Sequence, residues 1–542
     1  MAIPSSASPS SISSPYCYSS SEPARFVRFP SITVSLTALK QHPSRFSLSS
    51  CLNSSKPSGA GGSVSPGDDD LEYELQHGFA PPQRRKGASV FVKLLLNATS
   101  LIENSERRKK LAFEMKGLTA AGVEGVVMEV WWGNVEETPG NYDWRAYWDI
   151  VAMARDRKLK VRAVMAFHQC CTVPGTSGWI ALPRWVLSEM DKNPDLAYCD
   201  RFGKRSREYI SLGCDILPVL KGRSPVQIYS DFMRNFRDTF REFLGGIITE
   251  IQVGLGPAGE LRYALSPSQR LRWHWRFDEI GEFQCYDRYM LASLRASAQD
   301  AGQPKWGTGG PSGAEHMTQR PEEIEFFKST GVWRTIYGHF FLEWYSGMLL
   351  LHGERLCIAA KTIFHGTGVN IAAKVAGIFW HYHTLSHPCE LTAGYYNTST
   401  RDGYLPIIQM FGRHGITLCC ECFELVDQDA KKLNLTSSPE GLVKQLLLAA
   451  KACDVPLVGE TSDYRIDNTS QKNVLEMFML YSDGLTDPSI SLNFGKMSPR
   501  IFGRDNWIHF CNFAQQMNRV TDFQSKLNVY SVLATTETFV YS

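Results

Sequence analysis

Four glutamates lie at or just after the ends of short apolar runs in the sequence: Glu129, Glu260, Glu424 and Glu460. Two carboxyl groups that converge on one site can cleave a glycosidic bond, because one donates a proton to the leaving oxygen while the other activates water. A single carboxylate at the end of a strand is more often a structural hydrogen-bond acceptor. The sequence therefore predicts acid–base chemistry if at least two of these side chains meet.

The elements that must position these glutamates alternate along the chain after residue 86. Eight apolar runs are predicted as strands: 89–96, 125–132, 160–167, 247–255, 370–379, 416–425, 455–460 and 490–494. Eight segments are predicted as helices: 106–120, 143–158, 225–244, 338–364, 402–413, 439–452, 471–482 and 505–518. Strands apolar on both faces that alternate with helices predict a single α/β domain, a (β/α)8 TIM barrel with its chemistry at the C-terminal ends of the strands. A doubly wound open sheet is the alternative, and the count of eight favours the barrel.

The overall composition is that of a globular protein without a strong net charge. Of the 542 residues, 43% are hydrophobic and 21% are charged, and the formal net charge is +2. This near-neutrality argues against a protein built mainly to bind nucleic acid or an anionic membrane surface. No apolar run approaches the roughly 18 residues that a membrane-spanning helix needs. The fourteen cysteines form no paired Cys-x-x-Cys motifs, which predicts reduced, mostly buried thiols rather than a disulfide framework.

The first sixty residues differ in composition from the rest of the chain. They contain 19 Ser, five Lys or Arg, and one acidic residue, Glu22. This pattern predicts a transit peptide over 1–60, followed by a flexible linker over 61–86. The serine content favours the chloroplast, with the mitochondrion as the alternative. We expect the barrel to occupy 87–520, and the tail 521–542 has no assignment.

Two short patterns suggest cofactors, and both are weak. Gly254-Leu-Gly256-Pro-Ala-Gly259 matches a dinucleotide-binding pattern, but its proline and the charged continuation Glu260-Leu-Arg262 do not open the expected helix. The histidines His381, His383 and His387 share helical spacing with no carboxylate or third ligand. We expect neither a metal nor an organic cofactor.

Long motifs in the same order resemble plant β-amylases from about residue 88 to about residue 520. They are GVEGVVMEVWWG, YDWRAYWDI, AFHQC, EYISLGCD, GRSPVQIYSDFMRNFRDTF, VGLGPAGELRY, GEFQCYD, FFLEWYSGMLLLHG, ELTAGYYN and RDGYLPI. The resemblance implies an inverting exo-hydrolase that removes maltose from the non-reducing ends of α-1,4-glucans such as starch. It implies Glu260 as the acid and Glu460 as the base. Inversion requires the two carboxyl groups to lie about 6.5–9.5 Å apart with a water between them.

The resemblance also implies a set of substrate-binding positions. His168 and Lys374 keep the residue types that the family uses to bind sugar hydroxyls. The positions that depart are Glu129 for Asp, Thr176 for the Asp of a mobile lid, Phe379 for His, Glu421 for Thr, Thr461 and Ser462 for Asn-Ala, and Lys496 for Arg. The change from Arg to Lys replaces a planar, bidentate donor with a point charge.

These departures predict slow hydrolysis even though both carboxylates are present. Glu421 has the largest expected effect, because a third carboxylate raises the pKa of its neighbours and leaves the base partly protonated. Three possibilities stay open: a working β-amylase with altered kinetics, a site rebuilt by compensating residues, and an inactive relative that binds glucan or regulates starch breakdown. A barrel fused to a DNA-binding region is disfavoured, since the N-terminal segment has no dense basic helix. The sequence identifies no partner protein.

Overall fold

A computed structural model describes residues 87–519, apart from 97, 171–178, 265–279, 315–319, 433, 462–467 and 482–489. The predicted transit peptide, linker and C-terminal tail all lie outside the described residues. So do two of the predicted substrate-binding residues, Thr176 and Ser462.

Eight parallel strands close into a barrel, which confirms the predicted fold. The described strands are β1 (Ser89–Lys93), β2 (Gly125–Trp131), β3 (Lys160–Ala166), β4 (Ala197–Cys199), β5 (Arg205–Ile210), β6 (Ile248–Val253), β7 (Asn370–Val375), β8 (Ile416–Cys420), β9 (Leu457–Glu460) and β10 (Ile490–Lys496). All of them except the antiparallel hairpin β4–β5 belong to the barrel. Each barrel strand pairs with the next barrel strand along the chain, and β10 pairs with β1, so the sheet has no free edge.

Helices follow the barrel strands and cover their outer face. The described α-helices are α1 (Ala98–Ile102), α2 (Ser105–Ala120), α3 (Trp132–Val135), α4 (Arg145–Asp156), α5 (Arg184–Lys192), α6 (Pro225–Thr239), α7 (Arg288–Asp300), α8 (Ile336–Ile363), α9 (Pro388–Ala393), α10 (Leu405–His414), α11 (Asp427–Lys431), α12 (Pro439–Ala452), α13 (Asn468–Tyr481) and α14 (Arg504–Met517). All eight predicted helical segments are found, with ends shifted by a few residues. Helix α6 begins where a reciprocal pair of hydrogen bonds between Ser224 and Gln227 satisfies its first free N–H groups. Of the helices in the described part of the chain, none has both the length and the apolarity to cross a membrane.

Side chains alternate between the two faces of each barrel strand. In β1, Val90 and Val92 belong to the main core between the strands and the helices, whereas Phe91 packs with Val127 and Val164 in a separate cluster. A strand has a side-chain period of two, so Lys93 shares the inner face with Phe91. The same alternation directs polar side chains of the other strands towards the barrel axis.

The expectation that the strands are apolar on both faces is wrong for the inner face. Charged and polar residues of the strands are buried there: Arg162, Glu250, Gln252, Lys374, Glu460 and Asn493. Buried charges of this kind require partners. Arg162 donates hydrogen bonds to Asn493 and Ser491, both at 2.6 Å, and its Nε lies 3.4 Å from Glu250.

The cysteines in the described part of the chain are all buried except Cys453. For these residues the prediction of mostly buried side chains is confirmed. Their contribution is to packing, since a buried thiol behaves as a small hydrophobic side chain.

Candidate active site at the mouth of the barrel

The ammonium group of Lys374, near the end of β7, lies among three carboxylates. Its Nζ is 2.9 Å from Glu460 Oε2 and 3.7 Å from Glu260 Oε1, and it donates a hydrogen bond to Glu421. Since one nitrogen is this close to both, the oxygens of Glu260 and Glu460 can be separated by no more than about 6.6 Å. The two predicted catalytic glutamates therefore meet at the C-terminal mouth, across Lys374.

A tight turn after β6 delivers Glu260 to this mouth. Pro257–Gly259 form one short 3-10 turn, and Glu260 returns to extended backbone, so the turn opens no helix of the dinucleotide-binding kind. Gly259 has a φ of 75°, a left-handed conformation that favours glycine. Glu260 then accepts a 2.6 Å hydrogen bond from Arg262 Nε. This bond fixes one carboxyl oxygen, while the other faces Lys374.

A buried histidine of α8 forms a hydrogen bond with the main chain just before this turn. His352 Nε2 lies 3.0 Å from the carbonyl oxygen of Leu255, and its Nδ1 lies 2.9 Å from Asp215. Arg355 also donates to Asp215, at 3.1 Å. The main chain that leads to Glu260 is thus held by a hydrogen-bonded network outside the cleft.

The two catalytic candidates have pKa shifts of opposite sign. Burial raises the pKa of Glu260 above its ordinary value, and this outweighs the opposing charges of Arg262 and Lys374. Burial would also raise the pKa of Glu460, but the charges of Lys374 and Lys93 outweigh it and hold that pKa well below the usual range. Glu260 is therefore easier to protonate than Glu460, and a difference in this direction is what an acid–base pair needs.

This finding corrects the expected effect of Glu421. The prediction that a third carboxylate leaves the base partly protonated is wrong, because Lys374 lies between Glu421 and Glu460 and Lys93 adds a second positive charge. Glu421 instead adds to the raised pKa of Glu260. Its own pKa is lowered, since Lys374 and Lys93 outweigh the effect of its partial burial.

Lys93 is a charged neighbour of Glu460 that the sequence analysis does not identify. It ends β1, and its Nζ lies 2.7 Å from Glu460 Oε2, the same oxygen that faces Lys374. The signal that could have found it is the alternation in SVFVK, which puts this lysine on the same face of the strand as Phe91 and at the strand's C-terminal end.

Glu129 and Lys496 lie close to this group of charges. Glu129, on the inner face of β2, has one carboxyl oxygen, Oε2, that is buried without a hydrogen-bond partner. Burial raises the pKa of Glu129 against the opposing charges of Lys93, Lys496 and Lys374. In the register of the barrel, Lys496 is directly opposite Lys93 on the neighbouring strand.

His168 contributes a neutral imidazole beside the turn that carries Glu260. Burial, with the charges of Arg262 and Lys374, lowers the pKa of His168 to about 3. Its Nδ1 is buried without a hydrogen-bond partner, and its ring lies 5.0 Å from that of Trp131. An unsatisfied ring nitrogen in a cleft suits hydrogen bonding to a sugar hydroxyl.

The remaining described candidates have local structural partners. Phe379 is buried and stacks on Trp380 with the ring centroids 4.6 Å apart. Thr461 accepts a 3.0 Å hydrogen bond from the N–H of Gly495, which ties the ends of β9 and β10 together. Glu424 is also buried, in the loop after β8.

Nothing in the described part of the chain forms a group of three or more His, Cys, Asp or Glu side chains that could hold a metal ion. Two of the three histidines in question have protein partners. The expectation that no carboxylate shares helical spacing with these histidines is wrong for Glu390, which lies three residues after His387 in the first turn of α9, 2.6 Å from its Nδ1. His381 Nδ1 lies 3.1 Å from the hydroxyl of Thr436.

Several known proteins are similar to this chain in sequence or in fold. The model of glycosyl hydrolase family 14 matches residues 91–521. The chain is 48% identical over 442 residues to β-amylase 1, chloroplastic, of Arabidopsis thaliana, covering 80% of this chain and 76% of that protein. It is 48% identical over 443 residues to β-amylase 1, chloroplastic, of Oryza sativa subsp. japonica (81% and 82% covered). The catalytic domain of β-amylase from Paenibacillus polymyxa has the same fold, with a TM-score of 0.63 at 23% identity (79% and 98% covered).

Proposed function

Because the chain belongs to glycosyl hydrolase family 14, we propose that it binds the non-reducing ends of α-1,4-glucans such as starch and releases maltose with inversion, at low turnover. The observation that carries this proposal is the pair Glu260 and Glu460, two buried carboxyl groups on either side of Lys374 whose pKa values are shifted in opposite directions.

In the proposed reaction Glu260 is the acid and Glu460 is the base. Glu260 donates its proton to the glycosidic oxygen as the bond from that oxygen to the anomeric carbon breaks. Glu460 takes a proton from a water that attacks the anomeric carbon from the opposite face of the ring. The product is maltose in the β-configuration, and the atoms balance without a cofactor.

The same proposal assigns the other positions to substrate binding. Neutral His168 would exchange hydrogen bonds with a sugar hydroxyl beside the acid, and Phe379 would offer an apolar ring face. Glu129 and Lys496 add polar groups on the β2 and β10 side of the mouth. Thr461, Thr176 and Ser462 complete the proposed set.

Two features support low turnover. Lys374, which matches a sugar-binding position of the family, here directs its ammonium group towards Glu421, Glu460 and Glu260. Phe379 has no hydrogen-bond donor where the resemblance expects a histidine. Each hydrogen bond to a charged or buried partner that is missing in the transition state costs about 1.5–3 kcal/mol, or roughly tenfold to a hundredfold in rate.

One observation favours a second candidate, a glucan-binding or regulatory protein without turnover. Glu460 Oε2 accepts a hydrogen bond from Lys93 and forms an ion pair with Lys374, and Oε1 accepts a hydrogen bond from Asn493 at 2.9 Å. A base whose oxygens are occupied in this way binds water poorly, even while the rest of the mouth can hold a glucan.

The deciding experiment measures maltose release from soluble starch and maltotetraose, with NMR detection of the anomer formed first. We expect slow release of β-maltose that Glu260→Gln and Glu460→Gln each abolish and that the surface variant Glu476→Gln leaves unchanged. Glucan binding by calorimetry without any maltose would favour the second candidate. The absence of both binding and release would overturn the proposal.

A second comparison tests whether turnover is low for the stated reasons. The variant that combines Thr176→Asp, Phe379→His, Glu421→Thr and Lys496→Arg should release maltose much faster than the wild type. Wild-type turnover equal to that of an active family member would contradict low turnover.

A chloroplast location belongs to the same proposal. It is supported by the Ser-rich, acid-poor residues 1–60 and by relatives that are named chloroplastic at 48% identity.

A further inference from the structure

We propose that Lys93 is a positioning residue that restrains the base Glu460 and is a principal cause of low turnover. The inference rests on the proposed function, and it adds a residue and a physical cause that the resemblance to the family does not supply. It starts from one contact, the 2.7 Å ion pair between Lys93 Nζ and Glu460 Oε2.

The contact follows directly from the architecture of the barrel. Lys93 is the last residue of β1, and β10 lies between β1 and β9, the strand that ends at Glu460. Both side chains point towards the axis at the C-terminal end, so the long lysine side chain reaches across β10 to the carboxylate. The Lys93 side chain is 16% exposed and that of Glu460 is 2% exposed, so the pair is largely shielded from water.

The contact leaves Glu460 little capacity to bind a reactive water. An ionised carboxylate has about four acceptor positions on its two oxygens. Lys93 and Lys374 both occupy Oε2, at 2.7 and 2.9 Å, and Asn493 occupies Oε1 at 2.9 Å. A water that is to lose its proton to Glu460 must displace one of these donors or compete for the position that remains.

The contact also weakens Glu460 as a base. General-base catalysis requires a carboxylate whose proton affinity suits the reaction, and two buried ammonium groups lower that affinity. Both lysines remain charged, because their carboxylate partners raise the pKa of each against the effect of burial. Lys93 therefore acts on the base at every pH at which the protein would work.

The surrounding carboxylates explain how a second lysine is accommodated. Glu421, whose pKa is lowered, adds negative charge near Glu460, and Lys93 offsets it. Lys93 also opposes the rise that burial causes in the pKa of Glu129. Removal of Lys93 alone therefore leaves the mouth more negative by one charge. The double variant Lys93→Met with Glu421→Thr keeps the net charge of the mouth. Comparing it with Lys93→Met separates the effect of the local contact between Lys93 and Glu460 from the effect of the overall electrostatic field.

The test compares Lys93→Met, Glu421→Thr, the charge-matched double variant and the wild type in maltose release from maltotetraose. Methionine keeps the unbranched shape and removes the charge. We expect kcat to rise about 10- to 100-fold in Lys93→Met relative to the wild type, and in the double variant relative to Glu421→Thr alone, each with a smaller change in KM. The acidic limb of the pH profile should move to higher pH, because the pKa of Glu460 rises when a positive neighbour is removed.

Two controls establish that the gain acts through Glu460. Lys160→Met makes the same change at the start of β3, where the lysine donates to the carbonyl of Gly246 at the opposite end of the barrel, and kcat should not change. Glu460→Gln alone is expected to abolish release, and adding Lys93→Met to it should restore none, since any release by that double variant would mean that the gain does not need Glu460.

The role of Lys93 would be overturned, with the proposed function left standing, if both Lys93 variants kept the kcat and the acidic limb unchanged. This conclusion requires that their unfolding curves and maltotetraose binding match those of the wild type. If the wild type itself does not bind maltotetraose, the proposed function is overturned instead.

Discussion

Asn493 Nδ2 donates a 2.9 Å hydrogen bond to Glu460 Oε1, and this bond joins the buried interior of the barrel to its mouth. The carbonyl of the same amide accepts a 2.6 Å hydrogen bond from Arg162. The side-chain amide is therefore oriented by a guanidinium group below it and presents its N–H groups to the carboxylate above. The proposed base is positioned by a fully buried residue of the neighbouring strand.

We predict that Asn493→Ala lowers the free energy of unfolding by about 2–4 kcal/mol, because it leaves Arg162 with an unmet donor in the barrel interior. Urea denaturation measures the change. The matched variant Asn506→Ala removes an amide on the surface of α14 that donates to Arg500, and it should cost much less. Equal losses in the two variants would show that the interior amide has no special role.

The sequence predicts the barrel well because strand and helix patterns are local. The ends of strands are less accurate: the predicted run 370–379 ends as a strand at Val375, since apolar residues such as Phe379 continue into the core without sheet pairing. The pattern of apolar residues in the sequence does not predict the hairpin β4–β5 or helix α5. They lie in the long excursion between β3 and β6, where no repeating pattern marks them.

The candidate site is only partly predictable, because its charges interact across the barrel. The resemblance supplies Glu260 and Glu460, but it does not supply Lys93, which reaches Glu460 from a strand 367 residues earlier in the chain. For the same reason the sequence assigns Glu421 an effect on the base that the structure reverses. The pKa of a buried carboxyl depends on which lysines surround it, and those neighbours are set by the closure of the sheet.

Buried His168 should make the protein less stable on acidification. Its pKa in the folded protein is about 3, below the ordinary value of about 6.5, so below pH 6.5 the unfolded chain takes up a proton that the folded protein does not. The stability that neutral His168 contributes is therefore present above pH 6.5 and is lost as the pH falls towards 3.

Urea denaturation at pH 7 and pH 5 tests this expectation. The wild type should lose about 2 kcal/mol more than His168→Gln over that interval. His365→Gln, at an exposed histidine, is the matched control and should lose stability in parallel with the wild type. If His168→Gln and the wild type follow the same pH dependence, His168 titrates as an ordinary histidine.

Plastid import is predicted from residues 1–60, with cleavage between residues 45 and 85. The single acidic residue of this segment, Glu22, and its five Lys or Arg give it a net positive charge that suits a transit peptide. A fluorescent fusion of residues 1–90 should accumulate in chloroplasts. A cytosolic or mitochondrial signal from that fusion would contradict the prediction.

The last prediction concerns Glu421, whose side chain is 40% exposed and pairs with Lys374. Threonine at this position is too short to hold the ammonium group, so Lys374 regains a donor for a sugar hydroxyl. Loss of the Glu421 charge also removes one of the influences that raise the pKa of Glu260. We therefore expect Glu421→Thr to bind maltotetraose about tenfold more tightly and to shift the basic limb of its pH–rate profile to lower pH.

Calorimetry and pH-dependent maltose release measure the two effects separately. Glu476→Thr, which breaks an exposed pair between Glu476 and Lys472 on α13, is the matched control and should change neither. Tighter binding without a shift in the basic limb would mean that Glu421 acts only by occupying Lys374. A shift without tighter binding would mean that it acts only through the charge near Glu260. If neither the affinity for maltotetraose nor the basic limb changes, Lys374 stays paired with Glu460 and Glu260 even without Glu421. The pairing with Glu421 then has no part in limiting turnover.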